Sequence, residues 1–299
     1  MISTSNIAVI ILNYFDAKIT YQCCQSILKE IDVHFFLIEN SATCLEKNRL
    51  VSAITSFKKQ TTLLFPGKNL GFSAGVNLGL KEAIKRGFKQ FIVINNDAKL
   101  KKGSGKALKQ AFSQNKCCLM SPKLYWNDKI IGGRYYHKYT GIMFDDNSTT
   151  FLARYYPRLG FLFYLTGCAL AFDKTLLDKI GFFDEDFFMY GEDVEFSHRA
   201  SAKGCNLILL DEVFVEHEGS KSAQKGSFFY EFYTNRSHLL LAEKLSLTPL
   251  EKFFSYIGKF SYLLSRSIFR MIKYNSLIPI KAFLLSLKYK RLPDSNYDN

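Results

Sequence analysis

The 299-residue chain carries 40 Lys and Arg against 27 Asp and Glu, a formal charge of +13, and is 47% hydrophobic and 15% aromatic with only 6 Pro. That content excludes a disordered chain, and the length fits one large α/β domain with a smaller appendage. The charge calls for an anionic partner, whether nucleic acid, an anionic membrane surface or a phosphorylated substrate, and by itself selects none of them.

Residues 7–12 (IAVIIL) are a β-branched run that predicts a strand ending at Asn13, and Asp16 stands at the N-cap of a helix over ITYQCCQSILKE. A second run, VHFFLIE, stops at Glu39-Asn40-Ser41. Helical LEKNRLVSAITSFKK follows, then the strand-like TTLLF, a turn with Pro66 and Gly67, and a helix opened by Ser73 and closed by Gly87. The next strand, FIVIN, runs into Asn95-Asn96-Asp97. Strands and helices alternating in this way imply a mostly parallel sheet, which binds ligands at the carboxyl ends of its strands. Asn13, Glu39, Asn40 and the triplet Asn95 to Asp97 all follow apolar runs and are expected to converge there. Taken singly, each is better read as a turn residue.

From about residue 117 the pattern becomes an irregular mixture of strands and loops, with IIGGRYYHKYTG, FLFYLTGCALAF, helical DKTLLDKI and the closing strand LILLDEVFVEHEG. Trp126, the only tryptophan, sits in a loop-like stretch, where it would either stack on a ligand ring or serve the core. Beyond residue 226 the chain reads as basic amphipathic helices interrupted near Pro249 and Pro279. Lys259, Arg266, Arg270 and Lys273 break the most apolar region, so no stretch reaches the roughly 18 uninterrupted apolar residues of a spanning helix. The start MISTSN lacks the marks of a secretory signal, and the 7 Cys include no C-x-x-C pair. They read as reduced thiols in a cytosolic protein.

Two segments narrow the reading. NLGFSAGVNLGLKEAIKRG followed by FIVINNDAKL resembles the nucleotide-sugar-binding half of glycosyltransferase family 2. LTGCALAFDKTLLDKIGFFDEDFFMYGEDVEFSHRASAKG followed by EHEGSKS resembles its acceptor half, especially in rhamnosyltransferase-like and galactofuranosyltransferase-like members. With ILNYF and IENS, the resemblance spans roughly residues 5–240 in unbroken order. It implies an α/β GT-A fold, a Rossmann-like and mostly parallel nucleotide-binding sheet with C-terminal amphipathic helices. The expected division is residues 1–225 as catalytic domain (1–116 for the nucleotide sugar, 117–225 for the acceptor) and 226–299 as a helical region.

The resemblance also assigns roles. Asp97 matches the last acid of the metal motif, here reduced to Asn95-Asn96-Asp97, and His217 the histidine that completes the shell of Mn²⁺ or Mg²⁺. One or two protein ligands plus phosphate oxygens suffice for such hard cations, and an imidazole shifts the preference toward Mn²⁺. Asp193, in Tyr190-Gly191-Glu192-Asp193, matches the catalytic base of an inverting single displacement, with Glu192 orienting the acceptor. Without the resemblance, the two acids simply suit a helix N-terminus and the histidine a structural role. Glu39 stands where aspartate usually contacts the nucleoside. Asn13 and Tyr14 are expected to wall that pocket with Asn40, Asn95 and Asn96, while Asn69, Gly71 and Asn77 lie in the glycine-bearing loop and helix that approach the diphosphate.

The implied activity is hexosyl transfer from a UDP- or dTDP-sugar, such as rhamnose or galactofuranose, to a cell-surface glycan or lipid-linked acceptor, as in polysaccharide or lipopolysaccharide biosynthesis. An inactive nucleotide-sugar-binding or assembly protein is the alternative. The basic residues form no nucleic-acid module. The C-terminal helices suit the inner face of a cell membrane, or equally would bury their apolar faces on the catalytic domain or in an oligomer.

Overall fold

The computed structural model describes residues 6–126, 129–145, 157–217 and 225–289. The first half alternates as β1 (Ile7–Asn13), α1 (Ala17–Leu28), β2 (His34–Glu39), α2 (Cys44–Ala53), β3 (Thr61–Leu64), α3 (Gly71–Lys85) and β4 (Gln90–Ile94). These four strands are parallel, in the order β3-β2-β1-β4. Their side chains divide between two cores because alternate residues of a strand face opposite ways. Val9, Ile11, Phe35 and Leu37 pack with α1 on one side, and Ala8, Ile10, Phe36 and Ile38 with α3 on the other. A sheet covered on both faces needs strands that are apolar throughout, hence the uninterrupted runs in the sequence.

The chain continues through β5 (Ala98–Leu100), α4 (Ser104–Gln114), β6 (Leu119–Trp126), β7 (Lys129–Ile131), β8 (Arg134–His137), β9 (Met143–Asp145), β10 (Phe161–Tyr164), β11 (Ala169–Asp173), α5 (Lys174–Ile180), α6 (Glu192–Ala202) and β12 (Leu207–His217). β11 joins the sheet antiparallel to β4, β6 and β12 run parallel to each other, and β5 closes the edge antiparallel to β12. A small antiparallel sheet, β10-β8-β9, stands apart. The architecture is therefore mixed α/β around a large, mostly parallel sheet, as expected. Three helices follow: α7 (Phe228–Lys244), α8 (Pro249–Tyr274) and α9 (Ile278–Lys288). α7 shares a core with β8, β10 and α6 through Leu240, Leu241, Tyr136, Tyr164 and Val194.

Asp16 caps α1 by accepting the Ile19 N–H, as its place in the sequence predicts. Two helices differ from expectation. The single helix expected over residues 45–59 ends at Ala53, and a 3-10 segment kinks at Phe57, whose ring enters the core between Tyr21 and Phe35. Tertiary packing there outweighs helix continuity. α3 starts at Gly71, two residues before Ser73, because neighbouring loops cap it. Asn40 Oδ1 accepts the Leu70 N–H, Asn69 Oδ1 the Gly71 N–H, and the Phe188 carbonyl the Phe72 N–H.

Gly71 has φ +73°, and a Cβ there would overlap the Phe188 carbonyl oxygen and ring. Gly71→Ala is therefore expected to destabilise the fold by about 2 kcal/mol or more. Chemical denaturation measures this; an unchanged midpoint would show that the 188 loop yields freely.

Candidate active site

The candidate residues gather where β1, β2, β4 and β12 end. Asn13, fully buried, accepts from Thr20 Oγ1 at 2.6 Å and donates to Glu46 Oε1 at 3.3 Å. Glu46, also buried, takes the Ala17 N–H at 2.7 Å, and Thr20 Oγ1 accepts the Asn96 amide at 3.1 Å. Asn13 and Asn96 thus brace the floor between β1 and β4. Asn95 is anchored by its N–H to the Cys168 carbonyl at 2.9 Å. Tyr14 is half-buried, with its ring edge-on to that of exposed Phe15.

At the end of β2, Glu39 Oε1 accepts from both the N–H and the hydroxyl of Ser41. The Asn40 amide donates to Asn69 Oδ1 and to the Gly71 carbonyl, holding the glycine-bearing loop beside the strand end. Asn77 is buried, donates to the Phe183 carbonyl and Glu185 Oε1, and accepts the Phe183 N–H, a strut between α3 and the 183–185 loop.

Asp97 and His217 are distant in sequence but adjacent in the sheet. The β5–β12 register pairs His217 with Ala98, which leaves the preceding Asp97 beside the imidazole. His217 Nε2 lies 3.3 Å from Asp97 Oδ1, off hydrogen-bonding direction, and this buried nitrogen has no hydrogen-bond partner among the described residues. Burial alone would keep the ring neutral, but the Asp97 carboxylate outweighs it, helped by contact with Cys168, and pushes the histidine pKa up to about 10. The Cys168 thiol is itself raised by burial. The lone pair at Nε2 can hold a proton or a cation opposite Asp97, not both. Among the described residues no group of three or more His, Cys, Asp or Glu could enclose a metal. Asp97 Oδ1 and His217 Nε2 are the two groups here whose chemistry fits a divalent cation shared with phosphate oxygens.

The second pair of acids arrives on α6. Tyr190 (φ 67°) and Gly191 (φ 83°) both take left-handed backbone, a sharp turn that sets Glu192 and Asp193 in the first turn of the helix. Asp193 Oδ2 accepts the Gly167 N–H at 3.0 Å and Oδ1 the Val194 N–H at 2.8 Å. Gly167 adjoins Cys168, which touches both Asn95 and His217, so one short segment before β11 links the carboxylate pair to the Asp97–His217 pair.

Glu192 is buried with Oε2 unpartnered; burial and the adjacent Asp193 charge raise its pKa strongly. Burial also raises that of Asp193, opposed by its two backbone N–H donors and by Arg134. The better-solvated charge is therefore on Asp193, and a proton shared by the pair rests on Glu192.

Arg134, Thr20, Glu46, Gly167 and Cys168 support the site without having been singled out in the sequence. Gly167 and Cys168 stand in the LTGCALAF segment quoted for the acceptor half, and Arg134 follows the Gly132-Gly133 pair. Arg134 is held by Asp145 at 2.6 Å. Trp126 closes β6 rather than lying in a loop, its side chain falling outside the described residues, as do Glu218 and the residues of EHEGSKS after it.

No protein-family model matches the chain. It is 46% identical over 50 residues to a chondroitin synthase of Pasteurella multocida, covering 16% of this chain and 5% of that protein. It is 24% identical over 163 residues to the uncharacterized protein Rv1525 of Mycobacterium tuberculosis, covering 53% and 58%. The chain thus spans a small part of the first relative and little over half of the second.

Three solved structures are similar in fold. GalNAc-T7 with UDP, GalNAc and Mn²⁺ has a TM-score of 0.60 at 13% identity, covering 91% of this chain and 58% of that one. The mannosyltransferase PcManGT from Pyrobaculum calidifontis, with GDP-Man and Mn²⁺, has 0.56 at 13%, covering 97% and 77%. S. aureus TarS 1-349 with UDP has 0.52 at 14%, covering 86% and 70%. The large mixed sheet is that of the GT-A glycosyltransferase fold.

Proposed function

We propose that the chain is an inverting, metal-assisted glycosyltransferase of family 2, moving a hexose or deoxyhexose such as rhamnose, or galactofuranose, from a UDP- or dTDP-sugar to a cell-surface glycan or lipid-linked acceptor. The observation that carries the reading is the buried, unpartnered His217 Nε2 beside Asp97, joined through Cys168 and Gly167 to Asp193. The UDP or GDP-Man bound by the similarly folded proteins, in two of them with Mn²⁺, supports it.

Asp97 and His217 would hold the cation, which when bound offsets the charge gathering on the departing diphosphate. Asp193 accepts the proton of the acceptor hydroxyl as its oxygen bonds to the anomeric carbon. The bond from that carbon to the phosphate oxygen breaks on the opposite face, and its electron pair leaves with the nucleoside diphosphate. No covalent intermediate on the chain is needed. Glu192, protonated, keeps a second negative charge away from the incoming diphosphate. Asn40 and Asn69 fix the loop whose backbone approaches it.

Thermal melts with UDP, dTDP and GDP, each with Mn²⁺ or EDTA, test the reading. At a hundredfold excess over Kd a bound nucleotide stabilises by about 2.7 kcal/mol. A nucleotide is expected to raise the melting temperature in Mn²⁺, the increment largely disappearing in EDTA and in His217→Ala. Equal increments in EDTA would remove the metal role of Asp97 and His217. Stabilisation without turnover of any nucleotide sugar would select the inactive binding protein.

A further inference from the structure

α8 is amphipathic in the reverse sense of a helix that covers a core. Of its four buried residues, Ser255, Lys259, Leu263 and Ser267, only Leu263 is apolar. The inward side continues with Arg266 and Arg270, which pair with buried Glu231 of α7, while Ser255 Oγ and Lys259 Nζ donate to the Lys138 carbonyl. The outward side carries Leu250, Phe253, Ile257, Phe260, Ile268 and Ile272, recurring at the helical period over roughly 33 Å. Phe253 is 57% and Ile272 72% exposed, against 2% for Ser255 and none for Lys259. For α8, burial of the apolar face on the catalytic domain is thus ruled out, and a stripe of this length marks a docking surface.

The charge on the same helices selects the occupant. Of the seven Lys and Arg in residues 249–289, Lys259, Arg266 and Arg270 face inward and Lys252 pairs with Glu243, which leaves Lys273, Lys281 and Lys288 toward solvent; the one acid, Glu251, is engaged by Lys138. On α9, Leu277, Lys281, Leu284 and Lys288 share one exposed face at i, i+4, i+7 and i+11, and Lys273 is exposed near the end of α8. A second copy would set the same basic surface against this one, in a chain of charge +13. A layer of anionic headgroups over hydrocarbon meets both the lysines and the apolar stripe. No helix among the described residues is long and apolar enough to cross a membrane, so α8 would lie in the interface.

We propose that α8 and α9 form the face by which this protein docks on an anionic phospholipid bilayer, with the α8 stripe among the acyl chains and Lys273, Lys281 and Lys288 at the headgroups. The proposal does not depend on the transfer chemistry. α8 packs on α7 and α9, whereas the site residues stand at the strand ends and on α6, so either reading can fail alone.

Vesicle flotation of the whole chain tests it, with vesicles of phosphatidylcholine alone or mixed with phosphatidylglycerol. The protein is expected to float with the mixed vesicles only. Lys273→Gln, Lys281→Gln and Lys288→Gln should each weaken partitioning about fivefold. Combined Phe253→Ser, Ile257→Ser and Ile272→Ser should abolish flotation while leaving the melting temperature unchanged or higher, since these side chains face water. Absence of flotation with either vesicle overturns the proposal. So does sedimentation velocity showing a dimer that Ile272→Ser dissolves while vesicle binding is unaffected.

Discussion

Asp193→Asn is expected to lower the rate of sugar transfer by about two to four orders of magnitude at saturating donor, the span typical of removing a positioned general base. The fold should survive. The asparagine oxygen can keep one of the two backbone N–H groups now bound by the carboxylate, from Gly167 or Val194, and losing the other costs on the order of 1 kcal/mol. Rate and melting temperature measured on the same preparation separate the two effects. Because burial raises the Asp193 pKa, the acid limb of the pH–rate profile should lie above the ordinary carboxylate range. Glu192→Gln is the informative companion. Glutamine mimics the protonated acid assigned to Glu192, so this variant should retain most of its activity. An Asp193→Asn enzyme with full activity, or a Glu192→Gln enzyme as slow as Asp193→Asn, would move the base elsewhere.

The second large effect concerns stability. Lys259 has no exposed surface; its Nζ donates to the Lys138 carbonyl at 2.7 Å and to Ser255 Oγ at 3.0 Å, above the Tyr136 ring. These acceptors are neutral, and burial lowers its pKa from 10.5 to about 7. The unfolded chain therefore holds the proton more tightly than the folded one.

Below about pH 7 the lysine is charged in both states, and folding bears the whole cost of burying that charge. Between about 7 and 10.5 the unfolded state binds more protons, so stability rises with pH, and above that window the cost is gone. At about 1.4 kcal/mol per pKa unit, the full span is on the order of 5 kcal/mol. His137 and His238 feel the same charge and have lowered pKa values of their own, so the measurement is a difference: denaturation of the parent and of Lys259→Met across this window. The variant is expected to be the more stable below pH 7, with its advantage shrinking as pH rises. A constant difference across the window would mean that Lys259 stays charged throughout.

Much of the sheet was legible in the chain itself. The runs IAVIIL, VHFFLIE and FIVIN became β1, β2 and β4 because strands buried on both faces must be apolar at every position. Asp16 marked a helix start by local chemistry, accepting a free N–H, while Pro249, read as an interruption, stands in the first turn of α8, where its missing N–H costs nothing. Asp97, His217, Glu192 and Asp193 could be picked out only because motif residues stand in a recognisable order, since nothing local distinguishes a catalytic acid from a turn residue.

What the sequence determined by itself was the kind and order of elements, and which residues stand at their ends, because these depend on neighbours along the chain. Tertiary structure alone decided what depends on neighbours in space. It broke the second helix at Phe57, made Asn77 a strut, set Asp97 beside His217 through the β5–β12 register and brought Arg134 near Asp193. It also turned α8 over. Periodicity reveals that a helix has an apolar face, but only the buried Glu231 awaiting two arginines determined that the polar face would point inward and the apolar one toward solvent.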